Sequence, residues 1–155
     1  MQLLLLRHAD AVASAATDDL RPLSDKGRQQ AQRVARFCKE NDLRPELILS
    51  SPFLRTEETA QIVARELGSE LVLSAFLAAG MMPFAAMEEL RAVLRFDCVM
   101  LVGHEPDLGS LAGALLGAGN PGAIHFRKAT LAALEVESLI CGGANLEFLV
   151  PAKLI

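Results

Sequence analysis

At 155 residues the chain has the size of one domain, long enough to take roughly 70% of its unfolded surface out of water, so it needs no staple to fold. A net charge of −4 and a pI of about 5.4 exclude a broad nucleic-acid face, which requires clustered excess Lys and Arg. With 52% hydrophobic residues, 5% aromatic and no Trp or Tyr, the core has to be aliphatic.

The first element is the apolar run Leu3-Leu4-Leu5-Leu6, read as a buried strand that ends directly in Arg7-His8. Residues 9–22 are small, polar and acidic and read as a loop over the strand's end. Ser24 is placed to cap a helix over residues 25–40, where Ala31, Val34, Ala35 and Cys38 fall on one face. Leu47-Ile48-Leu49 is a second short strand. Ser51 and Pro52 then read as the cap and first turn of a helix that carries Arg55 and runs to Leu67, with Gly68 as its stop.

Residues 70–73 read as a third strand, 74–83 as a loop, and 84–95 as a helix spaced by Met87, Leu90, Val93 and Leu94. Cys98-Val99-Met100-Leu101-Val102 repeats the opening pattern and ends in Gly103-His104-Glu105-Pro106. A small-residue helix over 107–116 and a loop over 117–122 follow. Residues 131–136 and 146–150, parted by Gly142-Gly143, read as an antiparallel hairpin. The pattern predicts a three-layer α/β/α sandwich spanning residues 1–155, with a mixed, mostly parallel sheet.

Ligands of such sheets bind outside the carboxyl ends of the strands. There the prediction gathers Arg7, His8, the start of the Arg55 helix and His104. Guanidinium groups and a helix N-terminus suit a phosphoryl dianion. A neutral imidazole can attack phosphorus, and His titrates near ~6.5 before neighbouring cations lower it. His8 is thus the expected nucleophile.

These residues resemble the histidine phosphatase superfamily, the phosphoglycerate mutase-like proteins. The carriers are Arg7-His8 after a strand, Ser51-Pro52 with Arg55 three residues on, and Gly103-His104 after a later strand. Arg21-Pro22-Leu23-Ser24, Ser51-Pro52-Phe53-Leu54-Arg55-Thr56 and the lack of a large helical insert are similar to the SixA-type phosphohistidine phosphatases. The likeness runs over essentially the whole chain, with Ala9 standing where the family has glycine; a requirement for positive φ there would strain the alanine. The resemblance implies that His8 is phosphorylated, and that Arg7, Arg55 and His104 bind the phosphoryl group, with Arg21 as a further pocket arginine. It implies no metal or cofactor.

A general acid, where one is needed, would be Glu105 or Asp18, although Glu105 also suits a capping role at Pro106. The expected activity is metal-independent hydrolysis of phosphohistidine on a partner protein, since the chain has no segment long enough to form a lid over a small metabolite. The alternatives are a broad small-molecule phosphomonoesterase of the same fold and a non-catalytic phosphate-binding module.

Other patterns carry less. Cys38 and Arg44 match a C-x5-R spacing, but at the end of an amphipathic helix with Glu40 and Asp42 between them. Gly117, Gly119 and Gly122 match a dinucleotide fingerprint, but after a helix and with Pro121 inside. His125 reads as structural or surface. Three scattered cysteines (Cys38, Cys98, Cys141), no basic leader and no apolar run of about 18 residues fit a soluble, reduced, cytoplasmic protein with no membrane or nucleic-acid partner.

Overall fold

The first apolar run becomes strand β1 (Gln2–Arg7), and its four leucines are fully buried on two opposite faces. Successive side chains of a strand point to opposite sides, so Leu3 and Leu5 enter one core while Leu4 and Leu6 enter another. A strand buried on both faces has to be covered by helices on both, and that makes three layers. The computed structural model describes residues 1–155, apart from the side chain of Pro121.

Helices α1 (Asp25–Glu40) and α2 (Leu54–Leu67) cover the Leu4 and Leu6 side with Val34, Ala35, Cys38, Ala60 and Val63. Helices α3 (Pro83–Leu90) and α4 (Asp107–Leu115) cover the Leu3 and Leu5 side with Met87, Leu90, Leu108, Leu111 and Leu115. Between them lies one sheet in the order β3-β2-β4-β1-β5-β6, with β2 at Leu47–Ser50, β3 at Glu70–Leu73, β4 at Cys98–Gly103, β5 at Thr130–Val136 and β6 at Ala144–Pro151. Strands β3, β2, β4 and β1 are parallel; β5 and β6 run antiparallel. The α/β class, the mixed sheet and the terminal hairpin are as expected. No helix among the described residues is long and apolar enough to cross a membrane.

Register positions the functional rim. Arg7 lies opposite Gly103, so His8 and His104, each one residue further, leave neighbouring strands together, and the His8 N–H donates to the Gly103 carbonyl at 3.0 Å. Ser50 lies opposite Val102, and the Ser51 N–H donates to the Val102 carbonyl at 3.0 Å. Three consecutive strands of the sheet thus end side by side.

Two local readings need correction. Helix α2 is capped by Phe53, which offers no side-chain oxygen; the Ser51 hydroxyl accepts from the Phe53 N–H at 3.3 Å and also meets His104. The third helix ends at Leu90 and passes into a 3-10 turn over Arg91–Val93, since Leu94 stays exposed and gives the spacing nothing to bury against. The segment over residues 9–22 is a loop, as expected, with Ala11 bridging Leu23 and a 3-10 turn over Asp18–Leu20.

Ala9 does not have a positive φ and is fully buried, so alanine is unstrained where the family has glycine. Gly27 has no such latitude. A Cβ there would collide with the Asp10 carbonyl oxygen, because the first turn of α1 is drawn against residue 10 by Ser24. The Ser24 N–H donates to the Asp10 carbonyl at 3.0 Å and its hydroxyl to the Asp10 carboxylate at 2.6 Å. Gly27→Ala is expected to cost about 1–3 kcal/mol through overpacking, a fall in Tm of about 2–12 °C measurable by thermal denaturation.

Candidate active site

The carboxyl ends of β1, β2 and β4 bring His8, Arg55 and His104 into one buried cleft. The His8 Nδ1 lies 2.8 Å from the Ala9 carbonyl oxygen. A carbonyl can only accept, so Nδ1 carries the proton and Nε2 keeps its lone pair. Toward that lone pair points Arg55 Nε, at 3.4 Å. The backbone at Ala9 is itself held by Thr59 of α2, whose hydroxyl accepts from the Ala9 N–H at 3.1 Å and donates to the Arg55 carbonyl at 2.7 Å.

His104 faces His8 with ring centroids 5.5 Å apart, close to the spacing of adjacent strands. Its Nε2 is 2.8 Å from the Ser51 hydroxyl, and the Phe53 ring meets it edge-on at 4.8 Å. Arg55 lies over the same Phe53 ring at 5.0 Å, a cation held against an aromatic face. Arg7 is half-buried. Its Nη1 donates to the Phe126 carbonyl at 2.7 Å, while its Nε–H is buried without an acceptor among the described residues.

Both histidines are held neutral. Burial is the main cause for His8, and Arg55, His104 and Arg7 add to it; together they outweigh the Ala9 carbonyl and push the ring down to about 3. For His104, burial, then Arg55 and Arg7, prevail over Asp18 and push it down to about 4. Burial also lowers Arg7 from its ordinary value, with Arg55 reinforcing and Glu105 opposing; a guanidinium so placed is still a cation at neutral pH.

The remaining candidates lie around this centre. Asp18 accepts from Arg55 twice, through its backbone carbonyl at 2.7 Å and its carboxylate at 3.1 Å. Its other carboxylate oxygen accepts from Arg21 at 2.9 Å. The hydrogen bond from Arg21, then the one from Arg55, holds the Asp18 carboxyl below its ordinary range. Arg21 also donates to the Val12 carbonyl at 2.8 Å, and so braces the loop and reaches the cleft through Asp18. Glu105 points its carboxylate at backbone: it accepts from Gly109 at 3.2 Å and Phe126 at 3.3 Å, and lies 3.1 Å from His125 Nδ1.

Three contributors had no separate signal in the sequence. Ser51 reads as a helix cap, yet it orients His104. Thr59 is a buried polar residue one turn beyond Arg55, where the buried face of α2 passes from Arg55 and Thr56 to Ala60, Val63 and Ala64. Asp107, just after His104, accepts from Gly80 at 2.8 Å and Met81 at 3.2 Å, tying a distant loop to the start of α4.

What the fold and the cleft define is an α/β protein that concentrates cationic and imidazole groups at the carboxyl rim of parallel strands, an arrangement suited to an anion. Comparison with known proteins gives that class a family. Residues 3–78 match the model of the histidine phosphatase superfamily (branch 1). The chain is 31% identical over 127 residues to the phosphohistidine phosphatase SixA of Escherichia coli K12, covering 78% of each chain. It is 33% identical over 143 residues to an uncharacterized protein of Picosynechococcus, covering 87% of this chain and 85% of the relative. Its fold superposes on a tungstate complex of the protein histidine phosphatase SixA with a TM-score of 0.90, at 25% identity and 99% coverage of both chains. The chain belongs to the histidine phosphatase superfamily.

The protonation states have a measurable consequence. An unfolded His titrates near ~6.5, so between that value and the depressed folded ones the unfolded chain binds more protons. The two rings therefore stabilise the fold fully above pH ~6.5 and progressively less as pH falls toward about 4 and then about 3. Nitrogen NMR of the imidazoles should show His8 as the neutral Nδ1–H form throughout pH 5–8. Titration of His8 near 6.5 would contradict the burial described.

Proposed function

We propose that the chain hydrolyses phosphohistidine on a partner protein through a covalent phosphohistidine at His8. The observation that carries this reading is the state of the two carboxylates beside the cleft. Asp18 is held as an anion by Arg21 and Arg55, and Glu105 accepts from backbone N–H groups. Neither is disposed to donate a proton. An alkyl phosphate ester needs such a proton on its leaving oxygen, whereas a phosphoimidazole can take one from water on its other ring nitrogen, which titrates in the imidazole range. The name of the E. coli relative, a phosphohistidine phosphatase, supports the same substrate.

In this reading the Nε2 lone pair of His8 attacks phosphorus and the substrate's P–N bond breaks, its electron pair departing on the protonated ring, which leaves as neutral imidazole. His8 now carries phosphorus on Nε2 and still a proton on Nδ1, held by the Ala9 carbonyl. That proton keeps it a good leaving group in turn. Water attacks phosphorus, the P–Nε2 bond breaks, its pair returns to Nε2, and the water proton leaves with orthophosphate. Arg55 turns from Asp18 to the phosphoryl oxygens. Arg7 supplies the buried Nε–H that lacks an acceptor, and a buried donor of that kind costs about 1–3 kcal/mol until it is satisfied. His104, set by Ser51, borders the same oxygens. We assign no metal to the reaction, because guanidinium groups meet the phosphoryl charge.

The test is phosphate release from a phosphohistidine protein and from an aryl phosphomonoester, side by side and with chelator present. The phosphohistidine substrate should be preferred, His8→Ala should release none above background, and Arg55→Ala should lose about 10²–10³-fold in kcat. Faster turnover of the aryl ester would make the protein a general phosphomonoesterase. Absence of His8-dependent turnover of either substrate would leave a binding module.

A further inference from the structure

The positive charge of this acidic chain extends beyond the cleft. Residues 126–129 run beside the end of β1, where the Phe126 carbonyl holds Arg7 and the Ala129 N–H donates to the His8 carbonyl at 3.1 Å. Arg127 and Lys128 of this segment line a depression of about 340 Å³, whose wall also includes Lys26 and Lys153 against one acid, Asp10. Asp10 is already committed. Its carboxylate accepts from Lys128 at 2.7 Å and from Ser24 at 2.6 Å, and these bonds, with Lys26 nearby, hold its carboxyl below the ordinary range. Lys26, Arg127 and Lys153 are exposed, and among the described residues no carboxylate pairs with them.

Asp10 is two residues from His8, so by the length of two peptide units the wall of the depression begins within about 7 Å of the nucleophile's Cα. We propose that this basic depression docks an acidic segment of the phosphohistidine protein, next to the residue delivered to His8. The inference rests on the function proposed above. It adds the site at which a protein substrate is distinguished from a small one.

Two observations and the range of salt screening point to acidic protein surface. The cations are exposed, flexible side chains rather than buried donors, so they suit a broad face more than a tightly held small anion. They form one compact group on a chain of net charge −4, too local for a nucleic-acid backbone. At physiological ionic strength the screening length is about 8 Å, so the acidic excess elsewhere is muted while cations in contact with a docked segment are not. Contacts of this exposed kind change encounter and KM more than chemistry.

The probe is a phosphohistidine-bearing phosphotransfer domain with acidic residues flanking its histidine; free phosphoimidazole serves as the small substrate. Lys26→Glu combined with Lys153→Glu should raise KM for the domain about tenfold with kcat unchanged, leave phosphoimidazole kinetics unaltered, and lose its effect in about 1 M salt, where the screening length is about 3 Å. An unchanged KM for the domain, or an equal rise for phosphoimidazole, would overturn the docking site while leaving the phosphatase reading intact. Failure of the wild type to cleave either substrate would overturn both.

Discussion

The pairing of β1 with β4 is the constraint on which the site depends. Leu6 faces Val102 and Arg7 faces Gly103, and one further step places His8 beside His104. A slip of one residue would send Leu3 and Leu5 to the helices that now receive Leu4 and Leu6, exchanging every side chain between two packed cores. Burying a leucine contributes about 1.5–3 kcal/mol, so the four leucines of β1 and their apolar partners on β4 hold the register with far more energy than any polar contact at the rim. The groups at the rim are therefore positioned by the apolar residues packed beneath them.

That rim sets two demands against each other. In the proposed reaction the attacking imidazole has to be neutral, and burial with adjacent cations holds His8 in that state. The same neighbours lower its basicity and would draw away its lone pair if they could approach closely. The geometry limits the conflict. Arg55 Nε lies 3.4 Å from His8 Nε2, longer than an ordinary hydrogen bond, because the two terminal nitrogens of the guanidinium are drawn to Asp18. Asp18 thus stands where an anion would stand. It satisfies Arg55 at the mouth of the cleft, and its exposure, 61% of the side chain, makes it easy to displace.

Much of this was legible in the sequence, and the part that was not has a common cause. Apolar runs and helical spacing locate the strands, helices α1 and α2 and the final hairpin, because burial is imposed residue by residue along the chain. Strand ends then locate Arg7, His8 and His104, and a helix start locates Arg55. The supports do not repeat. Ser51 reads as a cap by local rules, but its hydroxyl bonds to His104, 53 positions away. Thr59 supports Ala9 across 50 positions, and Asp107 holds residues 80 and 81. A polar side chain satisfied by a distant partner leaves no period, and its local reading is a turn, a cap or a surface residue. Glu105 and Asp18 were ambiguous for the same reason, since proton donor and hydrogen-bond acceptor have the same spelling.

The turn at Ala129 shows how the cleft and the surface are built together. Its φ of 54° is left-handed, a conformation that costs a non-glycine residue about 1–2 kcal/mol. It is held by both of its backbone groups: the N–H donates to the His8 carbonyl at 3.1 Å and the carbonyl accepts from Ala152 at 3.2 Å. The side chain is fully buried. The turn there lets one short segment place the Phe126 carbonyl against Arg7 and set Arg127 and Lys128 at the basic depression. A protein substrate resting on the depression would bear on the same backbone that supports His8. In the proposed docking, recognition outside the cleft and alignment within it would share that one segment.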